Sequence, residues 1–438
     1  MTMKKTSHPW FSQIPETWEL VPIKWFTSTN TGITFTKSDL VEQGNAVLSY
    51  GQIHAKDNPA TTLDSKLLRF IPDSFIEKKT GSKVKQGDFI FADTSEDVEG
   101  CGNFVYIDKP IDLYAGYHTT ILRNKGLLNG RYYAYLFKSD EWRSQIRSKV
   151  KAVKLYSVTQ SIINQSFILV PPLDTQQRIA DYLDRECGKI DRKVELLEKK
   201  SAAYQRLRQS LINQTVTKGL NPDAPMKSSG LRWNPQIPIH WEVSRIRNFF
   251  NFRNEKVSYV DYPALSVTKN GVLPQMDNVA KTMAEGDTRK KVCKKDFVVN
   301  SRSDRKGSCG TSPLDGSVST IYIVLEPTDI DPGFVDYYFR CNDWVEEFYR
   351  NGKGIVADLW TTNYNIMRNI EIPVPPIEEQ REIAEYLDEK CGKIDAIVEN
   401  ITKQVQNLKT LKRALINATV TGKREILNAC VQNSTLCE

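Results

Sequence analysis

The chain has 438 residues, of which 40% are hydrophobic and 26% charged, with a formal net charge of +7. That length exceeds one ordinary core, and the composition is globular rather than disordered or fibrous. The excess positive charge is spread thinly, so it permits nucleic-acid binding without arguing for it. No apolar run approaches the ~18–20 residues of a bilayer-crossing helix. The opening MTMKKTSHPWFSQ lacks the apolar core of a signal peptide. Eight cysteines occur without a Cys-x-x-Cys pair, which points to neither a zinc site nor a disulfide framework. The expectation is a cytoplasmic protein.

In chain order, the first globular segment opens with Trp10-Phe-Ser-Gln-Ile-Pro-Glu-Thr-Trp18-Glu. Short β-branched and aromatic runs follow, punctuated by Gly, Asp and Asn. Phe89-Ile-Phe91 after Gly87-Asp88 is one of them, and such runs predict short strands joined by turns. Tyr132 to Trp142 has the pattern of an amphipathic helix. The segment ends in a predicted strand, Phe167-Ile-Leu-Val170, that runs into Pro171-Pro172, and a proline pair stops a strand.

Residues 171–217 then read PPLDTQQRIADYLDRECGKIDRKVELLEKKSAAYQRLRQSLINQTVT, and residues 375–421 repeat them at a constant offset of 204 with 23 of 47 positions identical. A long internal match fixes the architecture before any residue-level reading. Ile179, Leu183, Cys187, Ile190, Val194, Leu197, Ser201 and Tyr204 keep steps of three and four, with Leu211 two such steps further on, and Ile383, Leu387, Cys391, Ile394, Val398, Ile401, Val405, Leu408 and Leu415 occupy the same positions in the second copy. A narrow stripe of about 3.5-residue period predicts a helix that pairs with another helix. Leu207 and Leu411 fall off it. Gly188 and Gly392 interrupt both helices at one place and predict a kink or a division there.

The second globular segment repeats the first. Trp233-Asn-Pro-Gln-Ile-Pro-Ile-His-Trp241-Glu opens it, Phe297-Val-Val299 supplies a strand, and Val335 to Trp344 supplies the helix. The expected fold class is α+β: two globular mixed domains and two long helical arms, related by an internal pseudo-two-fold repeat. The predicted divisions are 1–170 and 221–374 for the globular domains, 171–220 and 375–423 for the helical spacers, and 424–438 for a tail. A two-fold relation packs the arms as an antiparallel coiled coil. The stripe by itself also accommodates parallel packing.

The chain carries no G-x-x-x-x-G-K-[ST] phosphate loop and no dinucleotide fingerprint. It also lacks the Asn-Pro-Pro-Phe/Tyr of amino-methyltransferases. His8, His54, His118 and His240 are scattered, without metal-ligand spacing. The acidic run Asp93-Thr-Ser-Glu-Asp-Val-Glu99 reads as a solvated turn, since its counterpart Asn300-Ser-Arg-Ser-Asp-Arg-Lys306 is basic. A non-catalytic binding protein is expected.

A globular segment ending in Ile/Leu-x-Val-Pro-Pro-Leu/Ile-x-x-Gln-x-x-Ile-Ala-x-Tyr-Leu-Asp, then Lys-Ile-Asp, then Leu-Ile-Asn-x-Thr-Val-Thr resembles the specificity subunit of type I restriction–modification systems. The resemblance covers nearly the whole chain and is most specific in the two helical repeats. It implies that the globular segments are target recognition domains, each reading half of a bipartite, asymmetric site in double-stranded DNA. It implies that the coiled coil sets the spacing and docks two methyltransferase subunits, with two ATP-dependent restriction subunits joining in a full complex. S-adenosylmethionine, ATP and magnesium are then expected only in those partner subunits, and no cofactor or metal in this chain. The competing expectation is a coiled-coil scaffold that binds proteins and has no DNA role.

Base readout needs Arg, Lys, Asn or Gln at base edges, with further cations on phosphates. In the first domain the candidates are Tyr50, Gln52, Lys78, Lys79, Lys83, Arg147, Lys149, Lys151 and Lys154. In the second they are Lys269, Asn270, Arg302, Arg305, Lys306, Arg350 and Lys353. The basic clusters at 147–154 and 350–354 occupy equivalent places in the two copies. Trp142 and Trp344 are expected in the cores.

Overall fold

The computed structural model describes residues 2–76, 80–126, 128–151, 154–275, 288–354 and 360–426. Six helices matter for function. In chain order they are α1 (Gly130–Lys138), α2 (Asp140–Arg147), α3 (Leu173–Lys218), α4 (Pro332–Tyr338), α5 (Asn342–Arg350) and α6 (Ile377–Val420). The chain forms two compact units, Met1–Leu196 with Gln404–Glu438, and Leu197–Lys403. Each unit therefore holds one globular segment, the N-terminal half of the long helix that follows it, and the C-terminal half of the other long helix.

The first unit is built on a four-stranded antiparallel sheet in the order Thr27–Thr31, Thr119–Asn124, Phe89–Ala92, Phe104–Tyr106. Every residue of Phe89–Ala92 is buried, as a continuous apolar run in a central strand requires. A hairpin pairs Met3–Lys5 with Gln13–Pro15, and Phe167–Val170 pairs antiparallel with Glu19–Pro22. Asn129 caps α1 by accepting from Arg131 and Tyr132 N–H, and Ser139 caps α2 by accepting from Trp142 N–H. Trp18, Tyr132, Tyr133, Phe137 and Trp142 fill the core together with Ile179, Leu183 and Cys187 of α3 and Leu415, Ile416 and Val420 of α6.

The second unit repeats this plan. Its sheet runs Phe250–Phe252, Tyr322–Pro327, Phe297–Asn300, Cys309–Thr311, antiparallel throughout. Its hairpin pairs Met226–Ser228 with Gln236–Pro238, and Glu371–Val374 pairs with Glu242–Arg245. Asp331, with Pro332 at the first helical position, caps α4. Trp241, Phe334, Tyr338 and Trp344 pack with Ile212 and Val216 of α3 and Ile383, Leu387 and Cys391 of α6.

Within each unit the two helix halves are antiparallel. In the first, Lys412 bonds Asp191 at 2.6 and 2.7 Å, while Arg424, just past α6, lies over the Tyr182 ring at 5.5 Å. In the second, Arg208 meets Asp395 at 3.0 Å, and Leu211 and Thr215 share a cleft with Tyr386. As one helix number rises, the other falls. The apolar stripe serves two purposes: its first third seats each helix on its own globular segment as well as on the partner helix. Leu207 and Leu411 are 53% and 56% exposed, in keeping with their place off the stripe.

Helices α3 and α6 run unbroken through Gly188 and Gly392, contrary to the predicted division. A glycine inside a helix costs only about 1 kcal/mol relative to alanine, less than the apolar packing on either side supplies. Each helix ends at a left-handed glycine, Gly219 at φ +78° and Gly422 at φ +73°. Trp241 packs against Gly219, and Trp18 packs against Gly422. The paired tryptophan openings are thus seats for helix ends. Most of the predicted tail, residues 427–438, lies outside the described residues. No helix among the described residues is long and apolar enough to cross a membrane.

Candidate nucleic-acid interface

In each unit a loop leaves the buried central strand and is held from behind by the short helix α2 or α5. In the first unit this loop follows Phe89–Ala92. Asp93 pairs with His118 at 3.0 Å, and the Asp97 carboxylate accepts from Gly100 N–H at 2.6 Å to close the loop. Arg143 and Arg147, both on α2, donate to the carbonyl of Glu99 at 2.6 Å, and Arg143 also reaches Asn103 Oδ1 at 2.6 Å. His54 sits between the Thr94 carbonyl at 2.8 Å and Asn103 Nδ2 at 3.0 Å. The Tyr50 ring meets His54, Tyr117 and His118 edge-on. These groups border a cleft of about 670 Å³ lined by Tyr50, His54, Thr94, Glu96, Asp97 and Leu155.

In the second unit the loop follows Phe297–Asn300. Asn300 Oδ1 accepts from Arg302 N–H at 3.0 Å, and Tyr349, on α5, donates its hydroxyl to the Asn300 carbonyl at 2.9 Å. Arg302 and Lys353 each bridge to Thr361, so the loop at 300–306 and the segments at 350–354 and 360–362 form one surface. Arg302 meets Asp304 at 3.0 Å, Lys306 meets Glu346 at 2.6 Å and Arg350 meets Glu347 at 2.9 Å. Counted from the matched Trp142 and Trp344, Arg147 and Tyr349 are equivalent, each five residues on. Two different side chains thus do one job at one position: they hold the loop.

The structure brings some predicted residues together and separates others. Arg302, Arg305, Lys306, Arg350 and Lys353 share the second unit's surface. Lys269 and Asn270 are exposed at the tip of a separate hairpin, Leu265–Thr268 with Gly271–Pro274. Tyr50 lines the first unit's cleft, whereas Gln52 is occupied by the capping box of its short helix, accepting from Ser49 N–H at 3.2 Å. Lys149, Lys151 and Lys154 are exposed in the segment that follows Arg147. Lys83 stands apart, paired with Asp112 at 2.9 Å, an interaction that holds its ammonium above the usual lysine range. Lys78 and Lys79 lie outside the described residues. Asn103 and Arg143 carry no signal in the sequence, His54 shows there only as one of four scattered histidines, and the acidic loop only as a solvated turn. The available signal was position: that loop and the basic one leave the same central strand in the two copies.

A second cleft, of about 620 Å³, lies in the first unit behind the loop, lined by Lys138, Asp140, Arg143, Arg147, Asp191 and Lys412 among others. It shares Glu99 and Asn103 with the first cleft. Burial, with Lys412 nearby, pushes the Lys138 ammonium down to about 8. Burial beside Arg147 pushes the Arg143 guanidinium down to about 10.

The profile of the type I restriction modification DNA specificity domain matches residues 15–203 and again 238–407. The chain belongs to that family. It carries two specificity domains, one per globular segment. It is 24% identical over 437 residues to the putative type I restriction enzyme MjaX specificity subunit of Methanocaldococcus jannaschii, covering 96% of each chain. It is 20% identical over 427 residues to the type I restriction enzyme StySPI specificity subunit of Salmonella potsdam, covering 94% of this chain and 90% of that one. A solved chain from work on complex assembly and conformational transition of the type I R-M system superposes with a TM-score of 0.68. That match covers 94% of this chain and 99% of the other at 15% identity, and it shows a shared fold.

Proposed function

We propose that this chain is the non-catalytic DNA-reading subunit of a cytoplasmic type I restriction–modification complex. Each globular domain reads one half of a bipartite, asymmetric duplex site. The observation that carries this reading is the pair of loops after the central strands. Two matched frameworks hold loops of opposite charge, Asp93 to Glu99 and Ser301 to Lys306. A scaffold would keep such loops alike, whereas two readers of different sequences need them different.

The readout candidates follow from that placement. In the second domain Arg302, Arg305, Lys306, Arg350 and Lys353, with Lys269 and Asn270 on their hairpin, supply donors for guanine edges and phosphates. In the first, Tyr50 lines the first cleft, Arg147 lines the second, and Lys149, Lys151 and Lys154 are exposed just beyond α2, while Lys78, Lys79 and Lys83 are assigned only as further cations and Gln52 as a helix cap. The helices α3 and α6 fix the spacer between half-sites, and their outer faces dock two methyltransferase subunits. Those subunits bind S-adenosylmethionine, and restriction subunits, where present, use ATP and magnesium. Co-expression with the cognate methyltransferase followed by methylome sequencing tests the reading. One non-palindromic bipartite motif is expected, absent when this gene is deleted. A host methylome unchanged by the deletion contradicts it.

A further inference from the structure

We propose that Lys138, Arg143 and Arg147 form a phosphate site in the first unit that seats a backbone phosphodiester of the duplex. The proposal rests on the DNA-reading role above and adds a contact that only one of the two domains makes.

Charge balance in the second cleft is the first argument. Lys412 is neutralised by Asp191 at 2.6 Å, and Arg413 by Asp140 at 2.7 Å. Lys138 instead donates to the Pro59 carbonyl at 3.0 Å, Arg143 to the carbonyls of Glu99 and Cys101 and to Asn103 Oδ1, and Arg147 to the Glu99 carbonyl. Among the described residues the hydrogen bonds of these three cations go only to neutral acceptors; the nearby carboxylates Asp191 and Asp140 act on them through space but are already bonded to Lys412 and Arg413. Arg143 Nε and Arg147 Nε are, in addition, buried without any hydrogen-bond partner. Native proteins seldom leave such donors unmet, and withdrawing cations from water without a counter-ion is costly. The depressed titration of Lys138 and Arg143 reflects that cost. A bound anion removes it, and adjacent guanidinium forks suit phosphate oxygens.

Loop support alone does not explain the charges. Tyr349 holds the equivalent loop in the second unit with a neutral hydroxyl. At the positions of Lys138 and Arg143 the second unit has Arg340, which pairs with Asp336, and Val345. The cation set is therefore particular to the first domain and not a demand of the shared framework. Two features favour a nucleic-acid phosphate. The cleft shares Glu99 and Asn103 with the Tyr50 cleft, and α2 leads directly into the exposed Lys149, Lys151 and Lys154.

The test measures binding of the full-length chain, with its methyltransferase subunits, to a random-sequence duplex across a series of KCl concentrations. Each contacted phosphate contributes about one unit to the slope of log affinity against log salt. Lys138→Gln and Arg143→Gln are each expected to reduce that slope by about 1. Lys138→Gln guards against a folding artefact, because it removes no contact to the loop. As a second measurement, inorganic phosphate should raise the Tm of the wild-type chain above its value in chloride at equal ionic strength, and Lys138→Gln should abolish the difference. Wild-type slopes in both folded variants, or equal Tm in the two anions, overturn the proposal. Loss of methyltransferase association with an unchanged slope also overturns it, assigning the cleft to an acidic protein surface. If the wild-type complex binds no duplex, the DNA-reading role itself fails; unchanged slopes with normal binding refute only the phosphate site.

Discussion

The side-chain oxygen of Asn417, near the end of α6, accepts the backbone N–H of Asp140, the first residue of α2, at 3.0 Å. The equivalent asparagine of the other repeat, Asn213 near the end of α3, accepts the N–H of Asn342, the first residue of α5, at 3.1 Å. Each repeated Leu-Ile-Asn motif thus satisfies a helix start in the globular segment of the opposite copy. These are N–H groups that no intrahelical carbonyl can reach. The short helix tied down in this way is the one that holds the candidate reading loop.

Removing either asparagine leaves a helix-terminal donor unmet. Asn417→Ala and Asn213→Ala are each expected to destabilise the chain by about 1 kcal/mol. Hydrogen exchange should locate the loss: residues 140–147 lose protection in the first variant and residues 342–350 in the second. Equal loss in both helices from one substitution would contradict the exchange of caps.

Tyr135 donates its hydroxyl to Asp184 at 2.7 Å, and Tyr337 donates to Asp388 at 2.7 Å. Burial first, and then the neighbouring carboxylate, raise both phenols above the ordinary tyrosine range, so each remains a donor at any physiological pH. A hydrogen bond to a charged acceptor contributes about 1.5–3 kcal/mol. Tyr135→Phe and Tyr337→Phe are each expected to lower stability in denaturant titrations, towards the low end of that range because the acceptors are partly hydrated.

Acid should loosen the docking of α6 in the first unit. Burial alone would raise the Asp140 carboxyl, but hydrogen bonds from Arg413 and Asn417 outweigh it and hold it below the usual range. A depressed carboxyl stabilises the fold above the ordinary value near ~3.9 and loses that contribution as pH falls through the folded value. Protection at the C-terminal end of α6 should therefore decline below about pH 4 in the wild type. In Asp140→Asn it should start lower and change less with pH. The effect should be modest, since Arg413 is 65% exposed and the pair is screened.

The loop-holding side chains make a prediction about specificity. Tyr349→Phe removes the hydroxyl that reaches the Asn300 carbonyl and should relax base preference in the second half-site only. Arg147→Gln should relax the first. Methylation patterns of the reconstituted complex distinguish the halves, and relaxation of both by one substitution would contradict separate readers.

Much of this architecture was legible in the sequence. The gapless repeat announced the paired units, and the stripe from Ile179 and from Ile383 announced the helices. The asparagine caps were not legible, because Asn417 and Asp140 lie 277 residues apart and a polar residue near a helix end looks like solvent-facing surface. The Asp93–Glu99 run looks like a solvated turn in sequence, because charge is visible there and the burial behind it is not. Gly188 and Gly392 carried a breaker signal that tertiary packing overrides.

Two independent readers on one duplicated frame should be separable by mutation. Methylome sequencing of cells expressing the complex with Arg302→Ala and Arg305→Ala combined tests it most directly. The expected result is a motif degenerate in one half, with the other half and the spacer unchanged. A motif altered in both halves, or in its spacer, would contradict it.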